Sequence, residues 1–188
     1  RLAIQDESIA GIQPMFSSIS NKLIVYNGEI YNYSYLKNYL QKTYSFCPKS
    51  NCDTELLLEG FSLEGKSFIE KIDGIYAFVI YDKDTKLFYV ARDKYGIKPL
   101  LYSILDEGII FSSDVKTLFE ILNQPEPSNK AIIDLLSLTF VPEPRTLFDK
   151  IKYFESGYLY TIDIDGKFRN TKKINFSLKS KKYKSENL

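Results

Sequence analysis

The chain has no histidine and no tryptophan, a single methionine, and only two cysteines among its 188 residues. Without imidazole, this chain alone can build neither a Ser-His-Asp nor a Cys-His site, and the zinc sites that depend on histidine are excluded with them. Cys47 and Cys52 lie five positions apart and fit neither a disulfide framework nor a four-ligand metal site, which we read as a reducing, cytoplasmic setting. No apolar run approaches the roughly 18 residues that a membrane span needs, and no signal peptide opens the chain. Charge of one sign is not in excess either. The 25 Lys and Arg residues against 24 Asp and Glu leave a net charge of +1, which gives the whole chain no pull toward nucleic acid or membrane. The first residue is Arg1 rather than methionine, and it opens a strand-like run, so the sequence reads as a processed chain or an internal fragment.

What is present is an ordinary globular balance: 44% apolar, 15% aromatic and 26% charged residues describe one folded domain rather than a disordered or fibrous segment. A chain of this size removes roughly 70% of its unfolded surface from water and needs no disulfide or metal to hold it together. The charge is unevenly spread. Residues 167–188 hold eight Lys and Arg against the single Glu186, leaving 17 basic and 23 acidic residues, a net of −6, ahead of them. We therefore expect one α+β unit over residues 1–165 and a basic tail or linker over 166–188.

Periodicity predicts short strands joined by tight turns and interspersed with helices, hence antiparallel sheets. Leu23 to Tyr26 reads as a strand stopped by Asn27-Gly28, and Leu36, Tyr39 and Leu40 recur at helical spacing after Asn32 as a cap. A second helix is expected from Asp53 and a third over 68–72. Gly74 to Tyr81 and Leu87 to Arg92 form the clearest hairpin, separated by turn-forming residues 82–86. Residues 100–104 and 109–112 give another hairpin, 115–122 and 130–138 two more helices, and 157–163 a last strand. The two prolines of Val141-Pro142-Glu143-Pro144 forbid a regular element there.

The segment with chemical content is Tyr26-Asn27-Gly28-Glu29-Ile30-Tyr31-Asn32-Tyr33. An Asn-Gly at a strand end leaves a carboxamide and a glycine amide free to point at one small volume, the glycine tolerating an unusual backbone angle. Two neutral donors of this kind make an oxyanion hole, each contributing on the order of 3 kcal/mol to a transition state. An Asn-Gly pair taken alone is far more often just a turn.

Read together with Arg1-Leu2-Ala3-Ile4, SNCDTELLL, DGIYAFVIYD, ARDKYGIKPL and VPEPRTLF, that segment resembles the glutaminase domain of asparagine synthetases, a class II glutamine amidotransferase. The resemblance spans almost the whole chain. It implies an N-terminal-nucleophile hydrolase fold, an αββα sandwich of mostly antiparallel sheets, here lacking its first strand segment. It further implies that glutamine's amide is attacked by an N-terminal cysteine whose own α-amine serves as base, so histidine is not needed. On this resemblance Asn27 and the Gly28 amide are the oxyanion hole, and Glu29 belongs to the same glutamine-contacting loop. Arg1 grips the substrate α-carboxylate, Leu2, Ala3, Ile4 and Gln5 continue that binding strand, and Asp53 takes the α-ammonium. From the residues alone, Arg1 is an ordinary surface arginine and Asp53 a helix cap.

The departures from the family matter as much. The segment carrying the nucleophilic cysteine would precede Arg1, so the chain lacks its own nucleophile, and neither Cys47 nor Cys52 has an evident base beside it. The missing strand would leave an exposed sheet edge. The family's synthetase domain would follow the tail, and with it the sites for ATP and magnesium, so no cofactor is expected within this chain. The expected partners are glutamine and that synthetase domain, with no nucleic acid and no membrane. Oligomeric state is open, a homodimer included. The second reading is a regulatory or scaffolding module that binds an amino acid or a partner without chemistry.

Overall fold

The computed structural model describes residues 12–175. Its elements run β1 (Met15–Phe16), β2 (Lys22–Ile30), α1 (Tyr33–Tyr44), α2 (Asp53–Glu64), α3 (Lys66–Ile69), β3 (Gly74–Asp82), β4 (Leu87–Arg92), β5 (Leu101–Leu105) and β6 (Gly108–Ser112). They continue as α4 (Val115–Ile121), α5 (Asn129–Leu138), β7 (Lys152–Tyr153), β8 (Tyr158–Asp163) and β9 (Phe168–Lys173). Six strands form one sheet in the order β1-β2-β3-β4-β8-β9, and three form another in the order β6-β5-β7. Every strand pair is antiparallel.

Strand alternation builds the layers. On one face of the large sheet, Ile24, Tyr26 and Ile30 of β2 and Tyr76, Phe78 and Ile80 of β3 bury against Leu36 and Leu40 of α1, Leu56 to Leu58 and Phe61 of α2, and Phe68 of α3. The alternate residues Ala77, Val90, Tyr160 and Ile162 point the other way and pack with Leu100, Phe154 and, from the small sheet, Tyr102 and Phe111. The far face of the small sheet offers Leu101, which closes with Leu118 of α4 and Ile151. Helix, sheet, sheet, helix is the αββα order expected from the sequence, and each interface is set by period-2 patterning that sends successive side chains to opposite faces. Among the described residues no helix is long and apolar enough to cross a membrane.

Four local expectations are corrected. Asn27-Gly28 does not end the second strand: β2 runs on to Ile30, with Gly28 opposite Tyr76 and Ile30 opposite Gly74. A Cβ on Gly28 would lie 2.3 Å from the Ile75 carbonyl oxygen and 2.7 Å from Tyr76 Cα, so glycine is required there by the closeness of the neighbouring backbone rather than by a turn. Asn32 stands at the start of α1 without making a capping bond. Its carboxamide instead donates to the Lys71 carbonyl (2.8 Å) and accepts from Asp73 N–H (3.0 Å). The basic stretch after residue 165 is not all tail, since Phe168–Lys173 pairs with β8 as the edge strand β9. The hairpin turn at Asp165-Gly166, with Gly166 at φ +79, therefore lies inside the fold, and the boundary expected at 165 falls in the middle of a hairpin. Helix α3 is also shorter and earlier than expected, at Lys66–Ile69.

Candidate active site

Beyond Ile24, where β1 ends its pairing, no described strand continues along the outer side of β2. Tyr26 N–H points to that open side, where it donates to Gln13 Oε1 at 2.7 Å, while Tyr31 N–H at the strand's end points the other way, to Asp73 O. Amides alternate along a strand, so the N–H groups of Gly28 and Ile30 share the open side with that of Tyr26. The Ile30 amide lies close enough to the Asp53 carboxylate to pull its pKa down. The Gly28 amide thus stands between the Tyr26 amide, which donates to Gln13, and the Ile30 amide, which faces Asp53.

Side chains alternate in the same way. Asn27 and Glu29, both half-buried, point to the side of the small sheet, opposite to the buried Tyr26. Asn27 lines a cleft of about 800 Å³ between the sheets, together with Gln13, Val25, Val79, Pro99 and Leu100. The Asn27 carboxamide thus reaches the cleft, while the neighbouring Gly28 amide faces the open edge of the strand.

Asp53 comes to the opposite side of β2. It is the first residue of α2, with Cys52 in the cap position, so it sits at the positive end of the helix without being its cap. It is 7% exposed and accepts a hydrogen bond from Tyr26 Oη at 2.8 Å. Burial pushes its carboxyl above the usual carboxylate range, and the Tyr26 hydroxyl and the Ile30 amide pull against that shift. Burial and the nearby Asp53 charge push the Tyr26 phenol upward in turn. Among the described residues no lysine or arginine forms an ion pair with Asp53. A desolvated carboxylate with no cation beside it among the described residues suits a ligand ammonium.

The structure thus puts the Asn27 and Glu29 side chains on one face of the open strand, Asp53 on the other face where Tyr26 bonds it, and the Gly28 amide at the strand's open edge. Arg1, Leu2, Ala3, Ile4 and Gln5 lie outside the described residues. Cys47 is exposed and Cys52 buried, both as free thiols. Sequence reasoning missed Gln13, whose Nε2 also reaches Thr54 Oγ1 at 3.4 Å, because a glutamine in a proline-bearing loop has no pattern. It also read Tyr26 only as the end of an apolar strand; the buried phenol is core and carboxylate partner at once.

A second cluster fixes the cleft wall. Arg92, 1% exposed, donates from Nε to Lys98 O (3.0 Å), from Nη2 to Gly96 O (2.9 Å) and from Nη1 to Phe154 O, and pairs with Glu143 at 3.0 Å. Asp93 accepts from the amides of Tyr95, Ile97 and Lys98 at 3.0–3.1 Å. Gly96 has φ +64, and a Cβ there would lie 2.8 Å from Arg92 Nη2, so this turn needs glycine on both counts. The two charged residues wrap loop 94–99 around themselves and deliver Pro99 and Leu100 to the cleft.

The sequence profile of the glutamine amidotransferase domain matches residues 1–173. The chain is 37% identical over 179 residues to asparagine synthetase [glutamine-hydrolyzing] 1 of Bacillus subtilis (strain 168), covering 94% of this chain and 28% of that protein. It is 39% identical over 166 residues to a probable asparagine synthetase [glutamine-hydrolyzing] of Acanthamoeba polyphaga mimivirus, covering 85% of this chain and 29% of the relative. The chain therefore spans less than a third of the length of these relatives. In structure it is similar to the glutamine phosphoribosylpyrophosphate amidotransferase of B. subtilis, with a TM-score of 0.62 and 18% identity over 92% of this chain and 34% of that one, a likeness of fold. With a domain profile matched over nearly its whole length and relatives above 30% identity, the chain belongs to the glutamine amidotransferase domain family.

Proposed function

We propose that this chain is the glutaminase part of a glutamine-hydrolysing asparagine synthetase, binding glutamine at the open edge of β2 and releasing its amide nitrogen as ammonia for the ATP-dependent amidation of aspartate. The observation that carries the reading is the Asn27 carboxamide at the cleft edge beside an outward-facing Gly28 amide. Attack of a thiolate on the glutamine carboxamide carbon puts negative charge on its oxygen, and these two donors meet that oxygen. Collapse breaks the C–N bond, ammonia leaves, and water cleaves the resulting thioester to glutamate through a second oxyanion in the same place. Asp53 takes the substrate ammonium, Glu29 adds an acceptor on the cleft side, and Arg1 takes the α-carboxylate through its planar fork of donors.

Neither thiol of the chain fits the attacking role: Cys47 is exposed in a loop and Cys52 is buried at the start of α2. On this reading the thiol, the ATP and magnesium sites, and the aspartate site belong to residues outside these 188, and the chain alone binds glutamine without turning it over. Titration calorimetry of the folded chain with millimolar glutamine tests this. Weak binding abolished by Asp53→Asn is expected; no heat from demonstrably folded protein overturns the retained pocket.

A further inference from the structure

Helix α5 is almost wholly out in solvent, yet it is apolar. Its sequence, NKAIIDLLSL, meets the body through Ala131 and through the Asp134–Arg145 ion pair. Ile133 and Leu136 are 63% and 80% exposed, and Phe140, two residues beyond the helix, is 58% exposed. Ile132, Leu135 and Leu138 add to the same surface. Isolated exposed leucines need no explanation, but a run of them along one helix does.

The patch extends past the helix. One guanidinium, that of Arg92, binds both the Gly96 carbonyl and the Glu143 carboxylate. This places loop 94–99 beside the segment that leaves α5, and Tyr95 and Ile97 on that loop are exposed as well. Because Arg92 and Asp93 fix the loop, its apolar side chains are presented on a rigid support. The same loop delivers Pro99 and Leu100 to the cleft, so the patch adjoins the proposed site.

We infer that α5, Phe140 and the Tyr95–Ile97 loop form the surface on which the synthetase domain of a longer polypeptide seats. The inference rests on the proposed function, and two facts favour this occupant. Some 72% of the length of the B. subtilis relative lies outside the matched region, which is length enough for a further domain. The patch also adjoins the cleft from which ammonia would pass. An aromatic and aliphatic centre supported by a fixed loop is the composition of an interface core rather than of a solvated face.

The test is hydrogen exchange by mass spectrometry on the polypeptide as isolated from its source, compared with the 188-residue chain, with glutamate release from glutamine measured on the same preparation. Peptides covering 129–140 and 94–98 are expected to exchange at least about tenfold more slowly in the native polypeptide, while those of α1 do not change. Leu136→Glu, at an exposed position, is expected to remove that protection and to lower glutamine-driven amidation relative to ammonia-driven amidation, with glutamate release retained. Equal exchange in the two forms overturns the inference, as does a native polypeptide without a further domain. Protection already present in the 188-residue monomer assigns the surface to the chain's own ends, and protection that grows with its concentration assigns it to a second copy; either result overturns the inference. Protection without glutamate release refutes the glutaminase reading but leaves the surface standing, and release without protection does the reverse.

Discussion

Replacing Tyr26 by phenylalanine removes one oxygen from a site where two buried groups share a single hydrogen bond. Tyr26 is 5% exposed and Asp53 7%, so neither can turn to water when the bond at 2.8 Å is lost. Hydrogen bonds to charged groups contribute about 1.5–3 kcal/mol, and Tyr26→Phe creates no large cavity, so a loss in that range is expected at pH 7.5. For a domain of this size each kcal/mol lowers the melting temperature by about 2–4 °C. The pH dependence carries a sign. Burial raises the Asp53 pKa above its unfolded value, so the contribution of Asp53 to stability is fully present below the unfolded value of about 3.9 and is lost as pH rises through the folded one. Removing the Tyr26 hydroxyl takes away a group that opposed the rise. The extra cost therefore falls at pH values where Asp53 is ionised and shrinks on acidification. Urea melts of both proteins at pH 7.5 and pH 4 measure this directly. An equal difference at both pH values, or one below about 0.5 kcal/mol at pH 7.5, refutes a bond made mainly to the carboxylate form.

Asn27→Ala is expected to leave the melting temperature nearly unchanged, since Asn27 is half-buried on the cleft. It is expected to lower glutamate release about 10²–10³-fold in a polypeptide that carries the attacking thiol; unchanged turnover removes Asn27 from the oxyanion site. Gly28→Ala puts a methyl group 2.3 Å from a backbone oxygen that no side-chain rotation can move, so β2 and β3 must separate at a cost of about 1–3 kcal/mol, read by denaturant melts. Arg92→Met strands the carbonyls of Gly96, Lys98 and Phe154 and is expected to cost about 1–3 kcal/mol for each one left buried without a donor. Glu143→Gln is expected to cost under about 1 kcal/mol, because the Glu143 carboxylate is 45% exposed and water screens the pair. Equal losses for the two variants would mean that the ion pair, not the carbonyl cradle, holds loop 94–99.

The fold was legible wherever a pattern depends on neighbours in sequence. The hairpin of β3 and β4 and that of β5 and β6 lie within a residue or so of where alternation and turn chemistry put them, and α5 is displaced by one residue at its start. What failed depends on partners distant in sequence. Asn27-Gly28 carries a strong turn preference, but residues 74–77 lie across from it, and the added ladder bonds keep the strand extended to Ile30. Phe168–Lys173 is exposed along its whole length and so shows no alternation; only pairing with β8 makes it a strand. At the site, the side of β2 that Asn27 and Glu29 share follows from period 2. That Asp53 would lie across the strand from them, bonded to Tyr26, follows from how α2 packs, and no spacing in the sequence carries it.

The three apolar interfaces are unequal, and this grades the molecule in strength from one side to the other. The layer of α1, α2 and α3 closes over a broad core that includes Tyr26, whereas α4 is held through a small cluster around Leu101, Leu118 and Ile151. Opening free energies follow the apolar contacts that must be broken. The α4 layer therefore opens more readily than the layer of α1 to α3, with amides that exchange through a sub-global fluctuation, while those of β2 and β3 wait for global unfolding. The Tyr26–Asp53 pair lies on the strong side, so a fluctuation that strips the outer helix leaves the buried carboxylate dry.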